Sequence, residues 1–379
     1  MWTSIIFLSF LILFLTHQSK GLSKTSGANF RISNIHYILI VAVFALFFGF
    51  RSDFGNDYET YLYWYENGYY LTDERTEILF RIISNFGYEN HIMYYWYFSV
   101  LAFLEIAFFV CLFKYDKKVL PYVFLFLITS TYTGYGINFW MNGVRQSIAM
   151  CVWCATIPLI DRKRIIPYLI LCFFAIGFHK TAVLLIPFYC LAFLKKDYLT
   201  NTKLQLAIFL SVFVAKIFFE SIMMSMESYL ALFQQVTGGY EEYEMSGMLE
   251  DMEGKSGGGL FVMIQAIIHS FIILNSNMMK DFYASKRFIN IYYIYFFGLL
   301  TTFIFPEGIV SLSRPFRYFG IFQVIMLAYF CYFLLNYKQI KNGKIYAICI
   351  MALYYFMFFI TQLLASPTSH LWYKTIFNS

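Results

Sequence analysis

Four short segments carry cationic side chains whose types and spacing suit them to bind an anion. Arg51 opens Arg51-Ser-Asp53-Phe-Gly-Asn-Asp57-Tyr58-Glu-Thr-Tyr61, and Arg145 sits in Asn142-Gly-Val-Arg145-Gln146. His179 and Lys180 are adjacent, and Arg314 and Arg317 frame Arg314-Pro-Phe-Arg317. A guanidinium is a planar fork that can grip phosphate through two parallel hydrogen bonds. Arg314 and Arg317 are three apart and share a helix face. Pro315 suits a first helical turn and Ser313 could cap it. Helix N-termini, where two or three of these groups are predicted to fall, add backbone N–H donors that also favour anions. Together the segments describe a phosphate or pyrophosphate site. Asp57 and His179 are the candidate general bases beside it. Asp53 and Asp57 alone are too few to specify a metal, and hydrogen bonding at the loop start explains them equally well.

The elements that position these residues follow from composition. The chain has 379 residues, 60% hydrophobic and only 13% charged, against roughly 25% charged for a soluble domain. Its mean hydropathy is +0.61. It is far too apolar to be disordered. The net charge of +6 would suggest nucleic acid in a soluble chain, but here the placement of the charges decides. Six clusters of three hold 18 of the 28 basic residues: 20/24/31, 114/117/118, 162/163/164, 195/196/203, 280/286/287 and 338/341/344. If the chain crosses a membrane twice between successive clusters, all six fall on one face, which the positive-inside rule makes cytoplasmic. Only Asp116, Asp161, Asp197 and Asp281 share that face; the other 18 of 22 acids do not. This predicts an all-α, polytopic membrane protein forming a single domain over residues 1–379, with both termini outside. About twelve helices are expected, at 2–16, 35–50, 91–113, 119–137, 141–160, 165–178, 181–194, 204–220, 260–279, 288–305, 315–335 and 345–363. The N-terminal run lacks a leading positive charge and a small-residue cleavage site, so it reads as the first span rather than a signal peptide.

Residues 165–194 predict two short crossings of about 15 residues each, roughly 22 Å of α-helix. A hydrocarbon core is about 30 Å thick. The turn at His179-Lys180 is therefore expected at depth, as the floor of a cavity open to the outer side. Residues 51–90 and 221–259 are the long outer loops. In the first, Ile78, Leu79, Ile82 and Ile83 recur at helical spacing and predict an amphipathic helix along the interface. In the second, Gly254-Lys-Ser-Gly-Gly-Gly259 lacks the strand and first glycine of a P-loop, which excludes nucleotide binding there. Cys151-x-x-Cys154 lies within an expected span and reads as packing rather than a redox pair. The remaining outer cations, Arg75, Arg81, Lys255 and Lys374, have the ordinary role of interfacial or acid-paired side chains. Lys216 and Glu220, four apart, read as an internal pair.

Arg51 with Gly55-Asn-Asp57-Tyr58 and Tyr61, Arg145-Gln146-Ser-Ile-Ala, Gly177-Phe-His179-Lys-Thr-Ala with Pro187 downstream, and Ser313-Arg314-Pro-Phe-Arg317-Tyr318-Phe occur in that order across nearly the whole chain. In this the sequence resembles the EpsG/Wzy-type bacterial polysaccharide polymerases, with Lys180-Thr181 where that family commonly has Ser after the His. The resemblance implies a glycosyltransferase of GT-C-like architecture in the bacterial inner membrane, with its active site facing the periplasm. It implies a substrate of undecaprenyl-pyrophosphate-linked oligosaccharide, a setting in membrane lipid, a chain-length regulator protein as partner, no nucleic acid, no cofactor and no metal. On this reading Arg145, Arg314 and Arg317 hold the pyrophosphate, Arg51 and Lys180 make closer or secondary contacts, and His179 or Asp57 is the base. Tyr58, Tyr61 and Gln146 contact sugar. An oligosaccharide ligase uses the same donor and needs the same arginines. A lipid-linked sugar flippase or other transporter would show an internal repeat and charges near midplane, and neither is evident.

Overall fold

The computed structural model describes residues 29–130, 136–225, 260–304, 314–364 and 374–375. These form α-helices and 3₁₀ helices joined by turns, with two 2-residue strands. The expected span 2–16, the Gly-rich segment 254–259 with Lys255, most of the second outer loop and Ser313 lie outside the described residues.

Contacts divide the chain into two units, Met1–Leu194 with Val324–Ser379, and Lys195–Gln323. The first unit opens with α1 (Asn29–Gly49), which ends at β1 (Arg51–Ser52). The first outer loop then folds into α2 (Tyr58–Glu66) and α3 (Ile78–Glu89). After it come α4 (Tyr94–Cys111), α5 (Leu120–Thr129), α6 (Ile137–Asn142), α7 (Val144–Asp161) and α8 (Ile165–Ile176). A 14-residue 3₁₀ helix, Lys180–Phe193, follows α8. The second unit contains α9 (Thr202–Ser225), α10 (Leu260–Leu274), α11 (Ser276–Tyr283) and α12 (Lys286–Ile304). The unit boundary falls within α13 (Arg317–Asn336), and α14 (Gly343–Leu364) belongs to the first unit. β2 (Lys374–Thr375) pairs antiparallel with β1, Arg51 opposite Thr375.

Among the described residues, four helices are long and apolar enough to cross a membrane: Tyr94–Tyr115, Lys286–Ile304, Arg314–Asn336 and Gly343–Thr361. α10 and α11, bent by 57°, make a fifth if they form one span. The stretches Tyr37–Gly49, Leu120–Thr129, Ile165–Ile176 and Lys180–Phe193 are apolar but shorter. The expected helix 119–137 is broken: α5 stops at Thr129 and a new helix starts at Ile137. The segment 181–194 is a helix as expected, but of the narrower 3₁₀ kind. At about 2.0 Å per residue it extends roughly 28 Å, while α8 extends roughly 18 Å at 1.5 Å per residue. The second leg is thus longer than the first, but both stay short of a core of about 30 Å. Tyr168 on α8 ties the hairpin together: its hydroxyl donates to the Leu185 carbonyl at 2.6 Å and lies 3.4 Å from Trp153 Nε1 on α7.

Among the described residues, basic-cluster side chains are held by aromatic rings or an acid within their own unit. In the first, the Arg162 guanidinium lies over the Tyr115 ring at 4.9 Å, Lys117 over Tyr37 at 5.0 Å and Lys118 over Tyr332 at 5.1 Å. In the second, Lys280 Nζ is 2.7 Å from Asp197 Oδ2, and the Tyr293 hydroxyl donates to the other Asp197 oxygen at 3.0 Å. Burial acts to raise the Asp197 pKa, but the Lys280 ammonium and the other donors outweigh it and hold the carboxyl below its ordinary range. Cys151 and Cys154 are fully buried free thiols, as their packing role requires. Lys216 Nζ lies over the Phe303 ring at 5.3 Å; the Glu220 side chain expected beside it is outside the described residues.

Candidate active site

The non-basic end of the first unit gathers three of the four cationic segments. Its starting point is the turn after Arg51. Asp53 and Gly55 both have positive φ, 49° and 102°, so the chain reverses sharply and Gly55 packs against α6. A Cβ there would stand 2.6 Å from Asn142 Oδ1. The Arg51–Tyr61 segment is thereby docked on Asn142-Gly-Val-Arg145. Arg51 is 2% exposed; it donates to the Phe48 carbonyl at 2.8 Å, and its guanidinium faces the Phe98 ring at 4.5 Å.

Arg145 is the second residue of α7, in its first turn, as the sequence predicts. Gly143 separates α6 from α7, and the Ser147 hydroxyl, bonded to Glu105 of α4, also donates to the Val144 carbonyl at 2.9 Å. This fixes the turn from which the Arg145 side chain leaves. Arg145 Nη1 donates to Glu77 Oε2 at 2.7 Å. The other oxygen of Glu77 accepts from the Lys180 amide at 3.2 Å. A single carboxylate therefore connects the head of α7 with the turn after α8. Two more bonds hold this arrangement: the Leu79 amide donates to the Gly177 carbonyl at 2.9 Å, and Lys180 Nζ donates to the Arg75 carbonyl at 3.0 Å. A Cβ at Gly177 would stand 2.6 Å from the Leu79 side chain, which would have to shift to admit it. His179, in extended backbone at the start of the 3₁₀ helix, is half-buried, and its Nδ1 lies 2.8 Å from Thr181 Oγ1.

The loop around Glu77 is itself braced. Asp73 accepts from the Arg75 amide at 3.0 Å and from the Thr76 hydroxyl. Burial pushes the Asp73 carboxyl up, and these donors more than reverse the effect, leaving its pKa lowered. Tyr61 is buried with its hydroxyl beside Arg145; burial raises its pKa and the guanidinium opposes the rise. Arg81 donates to the Asp73 carbonyl at 3.4 Å.

The expected residues are distributed as follows. Arg145, Lys180 and His179 share the Glu77 turn. Asp57 is exposed at the head of α2, one turn before Tyr61. Tyr58, Tyr61 and Gln146 are buried at 3%, 7% and 4% exposure. The exposed aromatic surface of the loop is elsewhere, on Tyr63 and on Tyr69, which stacks against Trp64 with centroids 5.0 Å apart. Arg314 opens a 3₁₀ turn, Arg314–Phe316, and Arg317 begins α13; both lie in the second unit, at a helix start as predicted. Glu77 is the functional candidate that sequence reasoning missed. Its one signal is its position, the last acid before an amphipathic helix.

Comparison with curated proteins and with solved structures gives no match. A family model, described as the EpsG family, matches residues 34–376 and so takes in every element above but the first five residues of α1. The chain belongs to the EpsG family, that of the Wzy-type polysaccharide polymerases.

Proposed function

We propose that the protein extends a polysaccharide by transferring a chain from undecaprenyl pyrophosphate to the terminal sugar of the next lipid-linked unit, at the outer, periplasmic face of the bacterial inner membrane. The observation that carries this reading is the Glu77 carboxylate, which joins Arg145 to the His179-Lys180 turn. Breaking the bond between the sugar and its phosphate oxygen sends the electron pair onto the pyrophosphate. Preorganised donors stabilise that developing charge, which is commonly the largest catalytic contribution. Arg145 supplies a guanidinium and Lys180 an ammonium, and these cations serve without a metal. Glu77 positions both. The acceptor hydroxyl gives its proton to His179, whose orientation Thr181 fixes; Asp57 is the alternative base. Arg51 acts from within as a buried support of the first loop. Arg314 and Arg317 keep a phosphate-binding role on their sequence motif alone.

Twelve spans in a GT-C-like layout fit this reading. Ten crossings between Arg51 and Lys374 return the chain to the same side, and the β1–β2 pairing supports that parity. In the first unit, the described basic residues Arg162, Lys117 and Lys118 against aromatic rings support a cytoplasmic face at that end. A chain-length regulator is the expected protein partner.

The test is incubation of the purified protein with a defined lipid-pyrophosphate oligosaccharide. A ladder of products is expected. One transfer to another acceptor without repetition would make it a ligase, and intact substrate would remove the enzyme reading in favour of transport.

A further inference from the structure

An apolar groove of about 280 Å³ runs between α3 and α4, lined by Ile82, Ile83 and Phe86 on one side and Ile92, Tyr97 and Val100 on the other. Its floor is rigid. The Tyr97 ring stacks on Tyr65 with centroids 4.0 Å apart, its hydroxyl is 2.8 Å from Ser84 Oγ, and the Tyr65 hydroxyl donates to the Ile92 carbonyl at 2.6 Å. Its rim is open: Ile82, Phe86 and Val100 are 55%, 62% and 46% exposed.

The groove lies one buried ring away from the cationic site. Tyr97 faces Phe80 with centroids 6.5 Å apart, and the Arg145 guanidinium lies 5.9 Å from the Phe80 ring. One aromatic ring therefore separates groove floor from cation. The outward row on α3, Ile78, Ile82 and Phe86, begins at the residue after Glu77 and runs roughly 12 Å at 1.5 Å per residue. A ligand that fits both ends has an anionic head and a long apolar tail. The walls are branched or aromatic, which suits a methyl-branched isoprenoid chain.

We propose that this groove holds the polyprenyl chain of a lipid-linked pyrophosphate whose head lies at Arg145, an inference that rests on the pyrophosphate reading above. The experiment uses the full chain in phosphatidylcholine nanodiscs with a benzophenone-tagged polyprenyl pyrophosphate. Photolabel is expected within residues 78–100, and untagged polyprenyl pyrophosphate should compete about ten-fold better than added phosphatidylglycerol or inorganic pyrophosphate. Val100→Trp fills the groove from its open wall and should cut labelling about ten-fold. Ile82→Trp does the same from the opposite wall and serves if the first variant is not recovered. Phe103→Trp, exposed on α4 outside the groove, should leave labelling unchanged. Equal competition by phosphatidylglycerol, or full labelling in both groove variants, overturns the proposal. Label elsewhere on a protein that still extends lipid-linked oligosaccharide overturns the groove and leaves the polymerase reading standing. Groove labelling without any chain extension overturns the polymerase reading and supports the groove.

Discussion

Arg145 and Glu77 are 68 residues apart in the chain and 2.7 Å apart in space. The carboxylate comes from the outer loop and the guanidinium from the head of α7. Their exposures differ, 9% for Glu77 and 29% for Arg145. A guanidinium carries five N–H donors, so Arg145 can be held by Glu77 through Nη1 and still meet a ligand. The carboxylate is the inner anchor and the cation the accessible partner.

Replacing that anchor separates its two roles. Glu77→Ala leaves a partly buried guanidinium and the Lys180 amide without their acceptor, and about 1–3 kcal/mol of stability should be lost. Glu77→Gln keeps an acceptor for the amide and should fold nearly as well, yet lose most polymer because Arg145 is no longer held by charge. Thermal unfolding in detergent and product-ladder gels read the two effects. Normal ladders from Glu77→Ala would show that the clasp does not matter to activity.

Arg145 itself is expected to need its fork, not only its charge. Arg145→Lys should lower turnover by about 10²-fold, the scale of losing one donor to a developing anion. Arg145→Glu and Arg314→Glu should abolish polymer while membrane protein levels stay normal. Long-chain polysaccharide at wild-type levels in both charge reversals would remove the pyrophosphate site.

How far these residues could be read in advance depends on what each required. The α3 helix was legible from Ile78, Leu79, Ile82 and Ile83, because a 3.6-residue period shows in one dimension. The helix starts before Arg145 and Arg314 were legible from local glycine, proline and charge. Glu77 was not, because it lies in an acid-rich loop and only the docking of Leu79 on Gly177 singles it out. Tyr58 and Tyr61 show the same limit: an i,i+3 aromatic pair reads alike whether it stacks on a ligand or, as here, is buried. The 3₁₀ form of Lys180–Phe193 depends on backbone hydrogen bonding that side-chain pattern does not encode, so the length of that leg was misjudged.

Gly55 joins the first motif to the second, and its replacement can be divided into two costs. Gly55→Ala forces a side chain into φ +102° and places a Cβ 2.6 Å from Asn142 Oδ1. Backbone strain of this kind costs roughly 1–3 kcal/mol. Asn142→Ala in the same chain removes the collision but not the strain, so the double variant should recover part of the lost melting temperature. Asn56→Ala, at the exposed neighbour, should stay within about 0.5 kcal/mol of the parent. Equal melting of Gly55→Ala and the parent would mean that the docking seen here is not tight.

Acid should loosen the Glu77 loop through Asp73. Burial acts to raise the Asp73 carboxyl, but bonds from the Thr76 hydroxyl and from the amides of Arg75 and Thr76, with Arg145 nearby, bring its folded pKa below the unfolded value. A depressed carboxyl stabilises the fold above its unfolded pKa and loses that contribution as pH falls through the folded pKa. The brace is therefore complete at neutral pH, unaffected by mild alkali, and lost on acidification below about pH 4, where free carboxyls protonate. Amide exchange across residues 72–80, corrected for intrinsic rates, should accelerate in that window. Thr76→Val removes a side-chain donor and should move the onset to higher pH. Asp73→Asn should exchange faster at neutral pH and lose the acid step. An acid step that persists unchanged in Asp73→Asn would assign it to another carboxylate, and Glu77, which carries both the Arg145 and Lys180 contacts, would be the next to replace.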